Sequence, residues 1–465
     1  MDLAFRTITD LAPDIRAGSL SPVHLTELML ERIDRHDGRL RSFTHVAIDA
    51  LQQARHAERE IRDGKWRGPL HGIPVGVKDN YLTHGMPTRV GCSRVALNLP
   101  DKDAACVARL RRAGAVVIGK LNMHQFAWGN VTPPTTNPWD HNRVPGGSSG
   151  GSGAAVAAGL CYAALGSDTG GSVRIPASAC GTFGVKPTYG RVSKAGIVPH
   201  SWSLDHPGPL TRSASDAAIL LEVLAGTDPE DAATADVPVP DYGAQLARPL
   251  SSIRIGICRN HFFDRLDHDV GAAVEHAIDT MARHGAKVRE FTIPNLEYAL
   301  AAIFVIELVS SSAYHERALK DKRQQSYEPD VRTLVELGKF ISGTDYLKAE
   351  QFRRVLARDF AQVFENVDVI AVPTMPITAW RTDEDSITIE GRQESVLVAS
   401  WRLTYPFNLV GLPAASQPCG FHPNGMPIGL QLAGRPFDEA TVLSTAYAYE
   451  GLTEWHDRCP PLAGS

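Results

Sequence analysis

At 465 residues, with 43% hydrophobic and 21% charged side chains and a net charge of −5, the chain has an ordinary globular composition and can bury a large core. Its 47 Lys+Arg against 52 Asp+Glu form no basic stripe, which argues against a nucleic-acid partner. Seven widely spread cysteines without CxxC spacing argue against a disulfide framework or a zinc ribbon.

The N-terminal run MDLAFRTITDLAPDIR lacks a basic stretch followed by an apolar core, so no signal peptide is expected. Helices come first. Ser21-Pro22 supplies an N-cap and a first helical position, with Leu25, Leu28, Met29 and Ile33 on one face. A second helical stretch spans 47–62, and both are expected to form an outer layer. From Gly68 a βαβ rhythm sets in: a strand at 73–77, a helix at 104–113 stopped by Gly114, and a strand at 116–118. Residues 146–171 are poor in large side chains and read as backbone packed closely on backbone, leading into a strand at 161–165. The acidic, Pro-containing segment 227–242 is expected to be an exposed loop.

Strands at 253–257, 286–291, 367–372 and 426–432 follow, with helices at 270–284, through 364, and at 439–449. The most apolar stretch, 299–309, is too short to span a bilayer and contains Glu307. The expectation is therefore a cytoplasmic α/β protein with no membrane partner, monomeric or homodimeric, in which one sheet runs through both halves of a single domain, 1–465.

Three clusters carry chemistry. In GIPVGVKDN an apolar strand delivers Lys78, and a desolvated lysine can act as a base near neutral pH. Lys120 and Lys186 sit in comparable contexts, so spacing alone leaves three candidates. In GGSSGGS, the match of Gly147 to Gly151 to a GxSxG nucleophile elbow fails because a loop, not a strand, precedes it. In GSDTGGSVR a strand feeds a tight turn presenting Ser172, whose successive N–H groups can hold an oxyanion.

Together these strips resemble the amidase-signature family: GIPVGVKDN, PGGSSGGSGAAVAAG, ALGSDTGGSVRIPASACGTFGVKPTYGRVS and SLDHPGPLTRS follow its pattern, and TYPFNLVGLPAASQPCGF and GMPIGLQLAG extend the likeness over most of the chain. The resemblance implies an α/β/α sandwich, a large twisted mixed sheet surrounded by helices. It divides the chain into an N-terminal helical layer (1–63), a catalytic core (68–217) and the rest of the sheet with entrance helices (253–465). It also implies a Ser–cis-Ser–Lys triad with Lys78 as base, Ser148 as relay after a cis peptide bond, and Ser172 as nucleophile. Backbone N–H groups of Thr169, Gly170 and Gly171 would form the oxyanion hole, and Asp168 and Arg174 would orient the loops. Asn80, Tyr81, Met123, Phe126 and Ser149 are the expected substrate contacts, and no cofactor or metal is implied.

Two classes within the family fit. One is a stand-alone amidase acting on small amide-like molecules: amides, anilides, carbamates (urethanes) or aryl esters. The other is the glutaminase subunit of a tRNA-dependent amidotransferase, which charge alone does not exclude. Trp401 stands where the amidotransferase pattern has an aspartate that recognises the amino acid, with Arg402 and Tyr405 nearby, and His200-Ser-Trp202 replaces small residues. These bulky groups imply an apolar pocket and favour the stand-alone amidase.

Overall fold

The computed structural model describes residues 2–92 and 99–462. The first two long helices begin where their caps predict. Thr7 accepts from the Asp10 N–H ahead of Ile8–Arg16, and Ser21 accepts from Val23 and His24 ahead of Pro22–Leu40. The buried Asp216 carboxylate receives the N–H groups of Ile8 and Thr9 at 2.9 and 3.0 Å, tying the N-terminal layer to the core.

The strands, in chain order, are β1 (Phe43–Val46), β2 (Pro74–Lys78), β3 (Val116–Leu121), β4 (Ala163–Asp168), β5 (Phe183–Lys186), β6 (His206–Thr211), β7 (Arg254–Cys258), β8 (Lys287–Phe291), β9 (Val369–Pro373), β10 (Ser386–Ile389), β11 (Arg392–Ser395), β12 (Ala414–Phe421) and β13 (Pro427–Gly434). Eleven of them form one mixed sheet in the order β1-β3-β2-β4-β6-β5-β12-β13-β9-β7-β8, and β10 and β11 make a separate hairpin. Parallel trios lie towards either end, β3-β2-β4 and β8-β7-β9, joined by antiparallel pairings through β6, β5, β12 and β13. The α/β fold with one large mixed sheet and many helices is thus as the sequence reading has it, and strands from both sides of the 227–242 loop share the sheet.

Four strands of this sheet escape sequence reading. His206–Thr211 carries two prolines and a glycine, residues that argue against a ladder, yet it pairs antiparallel with β4 on one side and β5 on the other. In β12, Pro418 sits beside a register shift, where a missing N–H costs no ladder bond. The strand expected at 161–165 lies further along, at Ala163–Asp168, so that Ser167 and Asp168 belong to its carboxyl end.

The apolar helix is longer than expected. Leu296–Tyr314 runs for 19 residues at mean hydropathy 1.6, so by length and composition it could cross a bilayer, whereas the 299–309 reading makes it too short. It packs on the helices Gly343–Val363, Pro329–Leu337 and Tyr405–Leu409, with Ala299, Ile303, Ile306 and Glu307 buried.

Candidate active site

Parallel neighbours β2 and β4 end side by side, and the crevice outside such carboxyl ends is where open α/β sheets place function. Lys78, the last residue of β2, is fully buried there. Its Nζ lies 2.8 Å from each of three hydroxyls, Ser148, Ser149 and Ser167 Oγ, and 3.4 Å from the Ser167 carbonyl. Burial pulls its pKa down to about 7, against the opposing charges of Asp168 and Asp205. The other two candidate lysines are buried elsewhere. Lys120 pairs with Asp79 at 3.2 Å and donates to the Tyr81 carbonyl, and Lys186 donates to the carbonyls of Pro187 and Leu412. Among the three, Lys78 alone meets serine hydroxyls.

The hydroxyl directions define what that amine can do. The Ser149 hydroxyl donates to the Ser167 carbonyl at 3.2 Å, so its oxygen receives an N–H from Lys78. Ser167 Oγ accepts from Asn80 Nδ2 at 3.1 Å and takes a second N–H from Lys78. A neutral amine has two N–H groups and one lone pair. With both donors engaged, its lone pair faces the remaining hydroxyl, that of Ser148.

Ser148 follows a cis peptide bond at Gly147–Ser148 and precedes the helix Gly150–Ala157. The Ser149 N–H reaches the Ser172 carbonyl at 3.3 Å, bringing the two serine strips together. Beyond β4 the chain turns through Thr169–Gly170–Gly171–Ser172 into the helix Arg174–Cys180. Glycine is required here twice over. Gly171 has φ +132°, and a Cβ on Gly170 would overlap Tyr405 Cε1.

The turn is pinned from below by Asp168, whose carboxylate receives the N–H groups of Gly171 at 2.8 Å and Val173 at 3.2 Å and a two-pronged pair from Arg174 at 3.0 Å each. Burial would raise the Asp168 pKa, but Arg174, Lys186 and Asn408 hold it far below the usual carboxylate range. The Gly171 N–H is therefore committed to Asp168, which corrects its assignment as an oxyanion donor. The N–H groups of Gly170 and Ser172 have no acceptor among the described residues, nor does Ser172 Oγ have a partner there. Thr169 Oγ1 donates to Asp205 at 2.6 Å, which steadies the opposite side of the turn.

An aromatic wall stands against this turn. Tyr405 packs on Gly170 and stacks with Trp401, ring centroids 5.4 Å apart and 14° from parallel. Phe304 lies 5.7 Å from Trp401, and Trp128 meets His200 edge-on at 4.3 Å. Within it, Tyr405 donates to Glu307 Oε2 at 3.1 Å, and His200 Nε2 lies 3.9 Å from Glu307 Oε1. Burial pushes the Glu307 carboxyl up to about 8, despite the Tyr405 hydrogen bond, and pulls the His200 imidazole down to about 3.

The family description that matches the chain is Amidase, over residues 24–443. The chain belongs to the amidase family. An amidase of Pseudomonas putida is 43% identical over 462 residues, covering 99% of this chain and 98% of that protein. A glutamyl-tRNA(Gln) amidotransferase subunit from Moorella thermoacetica is 41% identical over 490 residues, 99% of each chain. Among solved structures, a bacterial aryl acylamidase of the amidase-signature family superposes with a TM-score of 0.89 at 25% identity, covering 97% of this chain and 98% of that one. This amidase family member thus has close relatives in both functional classes.

Not every expected substrate contact faces the amidase site. Asn80 is buried and holds Ser167, and Tyr81 is wholly buried with its hydroxyl on the Gly166 carbonyl at 2.6 Å, so both act as supports beneath the lysine rather than as pocket walls. Ser149 is likewise enclosed in the hydroxyl shell of Lys78. Met123 edges a separate cleft of about 590 Å³ lined also by Asp79, Arg89, His124, Gln125 and Asp330, which neither Lys78 nor Ser172 reaches. Phe126 turns towards His315 and Tyr327, at 4.4 and 4.8 Å between rings. Trp202, expected in the pocket, is 70% exposed. Sequence reasoning missed Ser167 and Glu307. Ser167 stands directly before Asp168, but a serine at a strand end is common. Glu307, an acid in an otherwise apolar helix, carried the stronger signal.

Proposed function

We propose that the chain is a stand-alone amidase that hydrolyses carbon–nitrogen bonds of small molecules, amides and anilides foremost, through an acyl-enzyme on Ser172. Carbamates (urethanes) and aryl esters present the same kind of carbonyl and belong to the same proposed range. The observation that carries the reading is Lys78 Nζ, buried with a pKa near 7 and 2.8 Å from Ser148 Oγ.

In the proposed cycle the neutral Lys78 lone pair accepts the Ser148 proton as Ser148 accepts that of Ser172, and Ser172 Oγ bonds to the carbonyl carbon. The resulting oxyanion lies against the N–H groups of Gly170 and Ser172, with Thr169 beside them; losing one such donor typically costs about a hundred- to a thousandfold in rate. The proton returns through Ser148 to the leaving nitrogen as the carbon–nitrogen bond breaks. Water, deprotonated by the same relay, then cleaves the ester and restores Ser172.

What favours a stand-alone enzyme over an amidotransferase subunit is the aromatic wall. Trp401 stacked on Tyr405 fills the place where the amidotransferase pattern has an aspartate for a free amino acid. The test is side-by-side assay of the purified chain on a chromogenic anilide, an aryl carbamate and glutamine. Aniline release without glutamine turnover supports the proposal. Glutamine turnover alone, or activity only after partner subunits are added, overturns it in favour of the amidotransferase subunit.

A further inference from the structure

We propose that Glu307 sets the specificity of the acyl pocket, selecting substrates whose acyl group carries a protonated amine. This rests on the amidase reading above and names the substrate class that the aromatic wall admits.

Glu307 is 2% exposed, yet its carboxyl is underused. A carboxylate offers about four acceptor positions. Here Oε2 accepts only from Tyr405, and Oε1 accepts no hydrogen bond among the described residues. His200 Nε2 is 3.9 Å away, beyond hydrogen-bond reach; the His200 ring interacts with the Phe126 backbone, and its Nδ1 is buried without a hydrogen-bond partner among the described residues. Buried polar groups left unpaired are costly and uncommon, so a carboxyl oxygen without a donor inside an aromatic wall is the complement of a donor that binds against it.

The position fits a substrate group. Tyr405 bridges the two regions: one edge of its ring packs on Gly170 of the Ser172 turn, and its hydroxyl ends on Glu307. A group pointing away from the carbonyl under attack would pass along this ring towards the carboxyl. The surroundings favour a cation over a neutral donor. Phe304 is 6.4 Å from both Tyr405 and Trp128 and 5.7 Å from Trp401, and aromatic faces attract an ammonium in addition to its pairing with the carboxylate. An arriving ammonium also favours the ionised carboxylate, which burial alone opposes. The titratable groups that act on Glu307 are Tyr405, then Asp205 and Asp168, with His200 across the gap. None of them supplies a fixed positive charge.

A purely structural role, in which Glu307 merely holds the Tyr405 ring on Gly170, predicts something different. The test is Glu307→Gln, which keeps a hydrogen-bonding oxygen for Tyr405 and removes the charge. Anilides of 4-(aminomethyl)benzoic acid and of 4-methylbenzoic acid are assayed in parallel. The wild type is expected to prefer the amine. Glu307→Gln should lower kcat/KM on the amine-bearing anilide by about 10- to 100-fold, the worth of a charged hydrogen bond, while moving the neutral one less than about threefold. An equal loss on both, or a wild-type preference for the neutral anilide, overturns the proposal.

If the wild type cleaves neither anilide, the amidase reading is what fails. Calorimetric titration of Ser172→Ala with 4-(aminomethyl)benzamide then tests Glu307 independently of turnover. Binding that releases protons at pH 7, and that Glu307→Gln abolishes, sustains the assignment. Absence of binding, or binding unchanged by Glu307→Gln, removes it.

Discussion

Replacing Lys78 with methionine should abolish turnover and make the protein more stable. The amine is fully buried and its pKa falls from an ordinary 10.5 to about 7. The unfolded lysine is charged at and below pH 7, so the folded state is penalised there by about 5 kcal/mol, whether the buried amine keeps its charge or gives up the proton. Methionine fills much the same volume without that penalty. It also leaves the Ser148 hydroxyl without its partner, at about 1–3 kcal/mol. Ser149 and Ser167 keep other hydrogen bonds, to the Ser167 carbonyl and from Asn80.

The expected net gain at pH 7 is about 2–4 kcal/mol. The sign of its pH dependence is fixed. A lysine whose folded pKa is lowered binds fewer protons in the folded than in the unfolded state between about 7 and 10.5, so the wild type gains stability as pH rises through that window and the variant's advantage shrinks. Urea denaturation of both proteins at pH 7 and at pH 10, followed by tryptophan fluorescence, measures this. A variant less stable than wild type at pH 7, or an advantage that does not decline by pH 10, would refute a buried, uncharged lysine.

Three other outcomes follow from the same geometry. Wild-type kcat/KM should fall about tenfold per pH unit below about 7, as protonated Lys78 loses the lone pair aimed at Ser148; a rate flat down to pH 5 would rule out Lys78 as the base. Ser172→Ala should leave no acyl-enzyme detectable by mass spectrometry with a slow aryl ester. Ser149→Ala, which removes one of the three hydroxyls around Lys78 together with its hydrogen bonds to the Ser167 backbone, should retain measurable turnover, about tenfold reduced, and a reversal of these two results would relocate the nucleophile. Arg174→Met should destabilise the fold by about 3–5 kcal/mol in urea melts, because Asp168 is left charged and buried without its cation.

The ends of the helices and the βαβ rhythm around residues 73–118 were legible because caps and apolar periodicity are local properties. β6 was not, because its two prolines and glycine deny the ladder that its neighbours nevertheless complete from both sides. At the candidate site, small residues betrayed the close packing of the Ser172 turn, and the Tyr405 ring on Gly170 is its physical reason. Which of three lysines matters was not legible: all three end in apolar strips and all three are buried, and only the meeting of β2 with β4 puts serine hydroxyls around one of them. The substrate contacts were the least legible. Asn80 and Tyr81 follow Lys78 in sequence, but the chain folds them beneath it, while the aromatic wall beside the Ser172 turn takes Glu307 and Phe304 from a helix far along the chain.

That separation has an evolutionary reading. The groups assigned to bond cleavage all lie between residues 78 and 174, on a strand end and the turns beside it, with the Ser172 turn locked by Asp168 and Arg174. The aromatic wall beside the Ser172 turn is built largely from side chains of the helices Ala299–Tyr314 and Val396–Arg402 and from Tyr405. Mutation in the second set can retune what is admitted while the first stays under constraint. Swapping those helical segments between relatives is accordingly the economical route to new substrate ranges on this scaffold.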